Sequence, residues 1–171
     1  KSLLLADMDS TMIEQECIDE LADIYGVGSE VKKITTRAMN GELGFQDALK
    51  ERVALLAECP DTIVEQVLEQ RVTLRPGGKT LVSTMKANGA YTALVSGGFT
   101  AFSVPIGEIL GFDEQHANIL HEENGIFTGQ VIDPILGKNE KVNRLKSLVK
   151  DRGLSQRDVL AVGDGANDLG M

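Results

Sequence analysis

Short apolar runs alternate with helical patterns along most of the chain. The runs predict buried parallel strands, and they span residues 3–6, 91–95 and 159–162. The helical patterns have apolar residues three or four positions apart, and they span residues 76–88, 99–110 and 141–152. Strands that alternate with helices predict an α/β fold whose core is a Rossmann-like, mostly parallel sheet. Pro105 predicts a kink or a break in the second of these helices.

The segment after the first run has a different texture. It shows four short helical patterns and no strand pattern, and these patterns span residues 14–25, 29–39, 44–57 and 60–68. We therefore predict a small four-helix-bundle cap at residues 14–71, inserted into an α/β core made of residues 1–13 and 72–171. Asn124-Gly125, between two strand-like segments at 117–123 and 126–133, predicts a β-hairpin, which we assign to the core.

Composition narrows the class of protein. A chain of 171 residues fits one domain with an inserted subdomain, and its net charge of −9 argues against a nucleic-acid-binding surface. No apolar run approaches the roughly 20 residues that a membrane span needs. Cys17 and Cys59 form no CxxC motif and fit the reduced thiols of a cytoplasmic protein. Both ends look cut, so we expect a fragment of a longer protein.

Two acidic residues follow the first strand directly. Asp7 and Asp9 are separated by one residue, at a strand end where ligands bind in open α/β sheets. Two neighbouring carboxylates repel each other, and a divalent cation would compensate them. The alternative is that both acids only cap the next helix.

Polar groups also follow the other predicted strands. Ser96-Gly97-Gly98 follows the second strand, and the sequence GDGAND, with Asp164 and Asp168, follows the last. Lys141 lies on the helix before that last strand. Because the carboxyl ends of parallel strands share one edge of a sheet, these groups can converge.

The convergent groups suit phosphoryl transfer. A carboxylate can be the nucleophile, oxygen ligands can hold Mg²⁺, and a hydroxyl, an ammonium and the N–H groups of Gly97 and Gly98 can bind phosphate oxygens. Each motif alone has an ordinary explanation as a turn, a helix cap or a solvated lysine. Their occurrence together, in this order along the chain, favours the phosphoryl-transfer site.

The same motifs resemble those of a known family. DMDST, Ser96, Lys141 and GDGAND match the order of motifs in the haloacid dehalogenase superfamily of phosphohydrolases. The segments DMDSTMIEQECIDELA, RAMNGELGFQDALKERVALL, LVSGGF and AVGDGANDLGM resemble the branch that hydrolyses O-phospho-L-serine to L-serine and phosphate. This resemblance covers nearly the whole chain and implies a Mg²⁺-dependent hydrolase, with an aspartyl-phosphate intermediate, that acts in the last step of serine biosynthesis.

The resemblance also implies roles for individual core residues. Asp7 would be the nucleophile and Asp9 the general acid and base. The Mg²⁺ ligands would be the Asp7 side chain, the Asp9 backbone carbonyl and Asp164. The phosphate would be bound by Ser96, Gly97 and Lys141, with Asn167 nearby, and Asp168 would orient Lys141 or the metal-bound waters. Lys138, about one helical turn earlier, remains an alternative to Lys141.

In the cap, the resemblance implies that Glu16 pairs with the substrate ammonium and Arg52 with its carboxylate. Met39 and Phe45 would close over the serine part. A zwitterionic amino acid needs one anion and one cation, and the Arg fork suits a carboxylate. The alternatives are that Arg52 pairs with Glu51 or Asp47 on the surface, that Glu16 is a first-turn helix acid, and that Met39 and Phe45 are core residues.

Three alternatives for the function stay open. The same chemistry could act on another small phosphomonoester, or it could transfer the phosphoryl group to a second hydroxyl. A receiver-like signalling domain also uses an Asp, Mg²⁺, a hydroxyl and a Lys, but it gives no reason for Asp9 or for the helical insertion. The family pattern continues through further strands after GDGAND, so we expect residues 1–171 alone to be unstable or inactive.

Overall fold

The structure is a computed structural model that describes residues 1–165 and 168–170. It divides into two compact units. The first unit comprises Lys1–Glu14, Thr73–Ala117 and the described residues from Leu136 onward, and the second comprises Gln15–Val72 and Asn118–Ile135.

All the predicted strands and helices are present, within a few residues of the predicted bounds. In chain order they are β1 (Leu3–Ala6), α1 (Cys17–Tyr25), α2 (Gly28–Met39), α3 (Phe45–Ala54), α4 (Ile63–Gln70), α5 (Gly78–Ala87), β2 (Tyr91–Phe99), α6 (Thr100–Leu110), β3 (Glu114–Glu123), β4 (Ile126–Ile132), α7 (Lys138–Asp151) and β5 (Val159–Val162). The α/β fold class predicted from the sequence is therefore confirmed.

The first unit is built around a parallel sheet with β1 in its middle. Leu3 of β1 aligns with Tyr91 of β2 on one side and with Val159 of β5 on the other, and β3 lies beyond β2. One face of the sheet packs on α7, and its buried core contains Leu3, Leu5, Ala93, Val95, Leu145 and Leu148. Since β1 pairs in parallel with both neighbours, its carboxyl end lies beside theirs at one edge.

Two details of the first unit differ from the sequence-based expectation. Strand β2 continues through Ser96-Gly97-Gly98 to Phe99, whereas the apolar run predicted an end at Val95. Helix α6 continues through Pro105 without a break. Proline removes one helical hydrogen bond, and burial of Phe102, Ile106 and Leu110 on the same helix offsets that loss.

The second unit contains the four predicted cap helices together with the hairpin, which is formed by residues 118–123 of β3 and by β4. Helix α1 packs against α2 and α4, and α3 packs against α2 and β4. The hairpin is fastened to the loop after α3, where the Glu58 N–H donates to the Phe127 carbonyl at 2.9 Å and the Phe127 N–H donates to the Cys59 carbonyl at 2.9 Å. The hairpin therefore groups with the helices, not with the core to which the sequence pattern assigned it.

Close packing explains this grouping. Gly129 of β4 has a φ of 78°, and a Cβ at this position would lie 2.9 Å from the Cβ of Ala57. Position 129 needs a glycine for two reasons: its backbone is in the left-handed region, and its Cα lies close to Ala57 in the segment that follows α3. Among the helices that the structure describes, none is long and apolar enough to cross a membrane.

Candidate active site

Asp7 lies at the carboxyl end of the central strand. Its N–H donates to the Val162 carbonyl at 2.9 Å, which extends the parallel ladder between β1 and β5 by one residue. The Asp7 carboxylate is 5% exposed and accepts a hydrogen bond from the Met8 N–H at 2.7 Å on Oδ1. Its other oxygen, Oδ2, lies 2.6 Å from Lys141 Nζ. A buried carboxylate is thus held by a backbone donor and an ammonium.

Lys141 connects two strand ends. Its side chain comes from the first turns of α7, is almost completely buried, and also donates to Asp168 Oδ1 at 2.9 Å. Asp168 Oδ2 in turn accepts from the Gly165 N–H at 3.2 Å. A Cβ at position 163 would overlap the Asp168 side chain, so Gly163 is the residue that permits this approach. The ammonium therefore sits between the carboxylates that follow β1 and β5.

The charges of this cluster oppose one another in their effect on Asp7. Burial raises the pKa of the Asp7 carboxyl above its ordinary value, and the negative charge of Asp168 acts in the same direction. The positive charge of Lys141 and its hydrogen bond work against that rise. Lys141 is therefore the main group that favours the ionised form of Asp7, and the Met8 N–H acts in the same direction.

A third carboxylate completes a cluster that suits a metal ion. Oxygen atoms of Asp7, Asp164 and Asp168 all lie within 4.8 Å of one another. Asp164 Oδ1 also accepts a hydrogen bond from Thr11 Oγ1 at 3.1 Å, which ties this exposed side chain to the turn after β1. Carboxylate oxygens in such a group fit a hard divalent cation. The acidic cluster is observed, and the identity of its cation remains a prediction.

The end of β2 brings a hydroxyl close to the second acid. Ser96 is buried, and its Oγ accepts a hydrogen bond from the Gly98 N–H at 2.9 Å. A Cβ at position 98 would lie 2.7 Å from Asp9 Oδ2 and 3.2 Å from Ser96 Oγ. The Asp9 carboxylate therefore lies directly against Gly98, next to the predicted phosphate-binding hydroxyl. Gly97, the other predicted phosphate-binding residue of this strand, lies between Ser96 and Gly98 in β2.

The predicted substrate-recognition residues of the cap lie in the second unit. Burial lowers the pKa of the half-buried Arg52 guanidinium, and the negative charges of Asp19 and Glu16 oppose that shift. Arg52 Nε donates to its own helix, to the Ala48 carbonyl at 3.2 Å, while Glu51 is paired with Arg37 at 2.9 Å. Hence Arg52 is not the surface partner of Glu51.

Glu16 occupies the N-cap position of α1 without a side-chain capping hydrogen bond. Met39 is 83% exposed and Phe45 is 46% exposed. The alternative that these two apolar residues form the core is therefore wrong, and their role in closing over a substrate stays a prediction. Asn167, predicted beside the phosphate, lies outside the described residues. The structure places Lys141 on Asp7, as expected for the predicted phosphate lysine, and its role in binding phosphate stays a prediction.

Comparison with known proteins identifies the family. The family model described as haloacid dehalogenase-like hydrolase matches residues 4–171. The chain belongs to this family of hydrolases. The match covers the helical insertion as well as the α/β core, and it favours a hydrolase over the receiver-like alternative.

Individual relatives of this haloacid dehalogenase-like hydrolase share one name, phosphoserine phosphatase. A phosphoserine phosphatase from Archaeoglobus fulgidus is 46% identical over 98% of the chain, which spans 48% of that relative. One from Lactococcus lactis is 43% identical over 100% of the chain, which spans 79% of that relative. A solved phospho-aspartyl intermediate analogue of phosphoserine phosphatase is 42% identical, with a TM-score of 0.90 over 99% of this chain and 81% of its own. The resemblance noted in the sequence is thereby confirmed.

Three residues of this hydrolase site make contacts that the sequence analysis did not predict. Thr11 belongs to the DMDST motif, and its proximity to Asp164 could have been predicted only from their neighbouring strand ends. Gly98 was considered only as a backbone donor, but it also makes room for Asp9. Arg75 donates to the Ser10 carbonyl at 2.7 Å, and no sequence pattern signals this contact.

Proposed function

We propose that the protein hydrolyses O-phospho-L-serine to L-serine and inorganic phosphate, in the last step of serine biosynthesis, in the cytoplasm. The observation that supports this most directly is the buried Asp7 carboxylate on Lys141, with the Asp9 carboxylate next to Ser96. Relatives named phosphoserine phosphatase, similar over the whole chain, support the substrate.

In the first step, an Asp7 oxygen attacks phosphorus and the bond from phosphorus to the serine oxygen breaks. The carboxyl group of Asp9 gives its proton to that leaving oxygen, because an alkoxide is a poor leaving group at neutral pH. The Ser96 hydroxyl, the Gly97 N–H and the Lys141 ammonium bind the phosphoryl oxygens as charge develops on them. The products of this step are serine and a phosphorylated Asp7.

In the second step, the Asp9 carboxylate takes a proton from water, and the water oxygen attacks phosphorus. The bond between phosphorus and the Asp7 oxygen breaks, which releases inorganic phosphate and restores the Asp7 carboxylate and the protonated Asp9. Asp9 thus acts once as an acid and once as a base, and no proton is gained or lost over the cycle.

The side chains of Asp7 and Asp164 and the Asp9 backbone carbonyl are the groups that we propose hold Mg²⁺. When bound, the cation would offset the negative charge of the phosphoryl oxygens. Asp168 belongs to the same acidic cluster, but its two oxygens accept hydrogen bonds from Lys141 and Gly165. We therefore assign Asp168 to the orientation of Lys141.

Substrate identity would be determined by the second unit. We propose that Glu16 pairs with the ammonium of phosphoserine and that Arg52 pairs with its carboxylate, with Met39 and Phe45 closing over the serine part. The support is chemical, since one unit supplies both a half-buried guanidinium and an anion, Glu16, whose negative charge opposes the lowering of the Arg52 pKa.

The test is phosphate release from phosphoserine and from 4-nitrophenyl phosphate, with Mg²⁺ and with a chelator. We expect Asp7→Asn to abolish turnover of both substrates. Arg52→Ala should lower kcat/KM for phosphoserine about 100-fold, since a charge-assisted pair contributes about 3 kcal/mol, and it should spare the aryl ester. Arg37→Ala, in the same unit but paired with Glu51, is the matched control.

Two outcomes would contradict the proposal at different points. If the folded protein with Mg²⁺ releases no phosphate from phosphoserine, the proposed activity is wrong. If Arg52→Ala reduces turnover of both esters equally, the substrate-recognition role of Arg52 is wrong while the phosphatase chemistry stands.

A further inference from the structure

Arg75 contacts the turn that follows the central strand at two points. Its guanidinium donates from Nη2 to the Ser10 carbonyl at 2.7 Å, and its backbone N–H donates to the Met12 carbonyl at 2.9 Å. The neighbouring residue Leu74 forms an antiparallel bridge with Ile13. All of these residues belong to the first unit, and 65 positions separate Arg75 from Ser10.

The turn that Arg75 contacts has an unusual backbone. Ser10 has a φ of 54°, in the left-handed region that a residue with a side chain rarely adopts. The N–H groups of Thr11, Met12 and Ile13 all point at the Met8 carbonyl, at 3.2, 2.9 and 3.1 Å. Such a conformation persists where surrounding contacts determine it. The peptide between Ser10 and Thr11 is held at its N–H by the Met8 carbonyl and at its carbonyl by Arg75.

This turn has a site residue on each side of Ser10. Asp9 precedes it and lies against Gly98, and Thr11 follows it and donates to Asp164 at 3.1 Å. A rotation of the Ser10 peptide would move both side chains relative to β2 and β5. The direction of the Asp9 carboxylate therefore depends on the peptide that Arg75 holds.

We propose that Arg75 is a positioning residue for Asp9, and that it aligns the Asp9 carboxyl with the leaving oxygen of the substrate. This inference rests on the proposed function, because it assigns a partner to the general acid of that reaction. Arg75 itself is exposed and contacts a backbone carbonyl, so its influence on the reaction passes through the turn.

The leaving group separates this role from a merely structural one. The value of kcat/KM covers the steps up to departure of the leaving group. An alkoxide such as that of serine needs the proton from Asp9, whereas 4-nitrophenolate leaves without one. Loss of Asp9 alignment must therefore affect phosphoserine more than 4-nitrophenyl phosphate, while a general loss of structure would affect both alike.

The experiment compares Arg75→Ala, Arg75→Lys and the control Arg157→Ala, an exposed arginine of the same unit. General acid catalysis contributes 10²–10⁴-fold, so partial misalignment in Arg75→Ala should lower kcat/KM for phosphoserine about tenfold and that for 4-nitrophenyl phosphate less than about threefold. Arg75→Lys keeps a donor and should recover most of the loss. Arg157→Ala should match the unaltered protein.

A double-mutant cycle with Asp9→Asn completes the test. If Arg75 acts through Asp9, adding Arg75→Ala to Asp9→Asn should cause little further loss with phosphoserine. Equal losses for the two esters, additive losses in the cycle, or unaltered activity in Arg75→Ala would overturn the inference. If the unaltered protein does not accept phosphoserine, the proposed function fails separately, and the same comparison with an alkyl phosphate that it does accept still decides the role of Arg75.

Discussion

Replacing Lys141 with methionine should destabilise the protein strongly and in a pH-dependent way. The Lys141 side chain is 3% exposed and its Nζ lies 2.6 Å from Asp7 and 2.9 Å from Asp168. Methionine has a similar length and no charge, so Lys141→Met leaves both carboxylates buried without their shared cation.

The expected loss follows from that arrangement. Removing one partner of a buried ion pair costs about 3–5 kcal/mol, because the remaining charge stays desolvated. For a chain of this length, each kcal/mol changes the melting temperature by about 2–4 °C. Even the lower figure of about 3 kcal/mol corresponds to a decrease of about 6–12 °C.

The pH dependence follows from the direction of the Asp7 shift. The folded-state pKa of Asp7 is raised above its ordinary value of 3.8. The stability linked to this group is therefore complete below that value and is lost as the pH rises through the folded-state pKa. Lys141 restrains the shift, so its removal raises the pKa of Asp7 further and enlarges the loss at neutral pH. The deficit of Lys141→Met should grow between about pH 4 and about pH 7.

The measurement is urea unfolding of the intact protein at both pH values, without metal. Lys146→Met is the matched control, since it makes the same substitution at an exposed position of the same helix. The control should change the unfolding free energy by less than about 0.5 kcal/mol. A Lys141→Met deficit as small as that of the control, or one that is equal at both pH values, would refute the assignment of Lys141 as the counter-charge of Asp7.

Three further predictions test other parts of the structure. Gly98→Ala should lower turnover about 10- to 100-fold with little loss of stability, because the new Cβ would lie only 2.7 Å from Asp9 Oδ2 and would push the Asp9 carboxylate away. Gly44→Ala, whose Cβ meets only a side-chain oxygen at 3.7 Å, is the control in kinetics and melting. Mg²⁺ at about 100 times its Kd should stabilise the protein by about 2.7 kcal/mol in thermal melts, and Asp164→Asn should remove most of that gain. Burial raises the pKa of the Cys59 thiol to about 11, so iodoacetamide at pH 8 should alkylate it about 200-fold more slowly than it alkylates an exposed cysteine. Mass spectrometry measures the rate, and the difference should disappear when urea unfolds the chain.

Most of the fold could be predicted because its patterns are local. The apolar runs at Leu3–Ala6 and Val159–Val162 are short, continuous and followed by acidic residues, as strands before a ligand site are. The prediction of burial is confirmed for Leu3–Ala6 and is wrong for Val159–Val162, whose residues are half-buried or exposed. The end of β2 was harder to predict. Ser96-Gly97-Gly98 has the composition of a turn, yet it continues β2, and the Asp9 side chain, which precedes it by almost 90 positions, lies against Gly98.

The hairpin shows where local patterns are insufficient. Asn124-Gly125 marks its turn correctly, but nothing in residues 118–135 indicates which unit they join. That choice depends on backbone bonds to Glu58 and Cys59 and on a glycine that fits beside Ala57, all of them distant in sequence. Arg75 was missed for the same reason, since its partner is a backbone carbonyl and has no side-chain signature.

The charges at the end of the central strand account for the expected need for a cation. The carboxylates of Asp7, Asp164 and Asp168 lie together with one ammonium, that of Lys141, which leaves a formal charge of −2 if all are ionised. A phosphomonoester brings further negative charge to this place, and like charges at low dielectric repel strongly. A single divalent cation would neutralise the cluster, whereas a second lysine would halve the excess. Lys141 alone opposes, but does not cancel, the rise that burial causes in the pKa of Asp7. One ammonium is therefore insufficient to admit a phosphate, and the affinity for substrate should depend on the metal more steeply than the stability of the fold does.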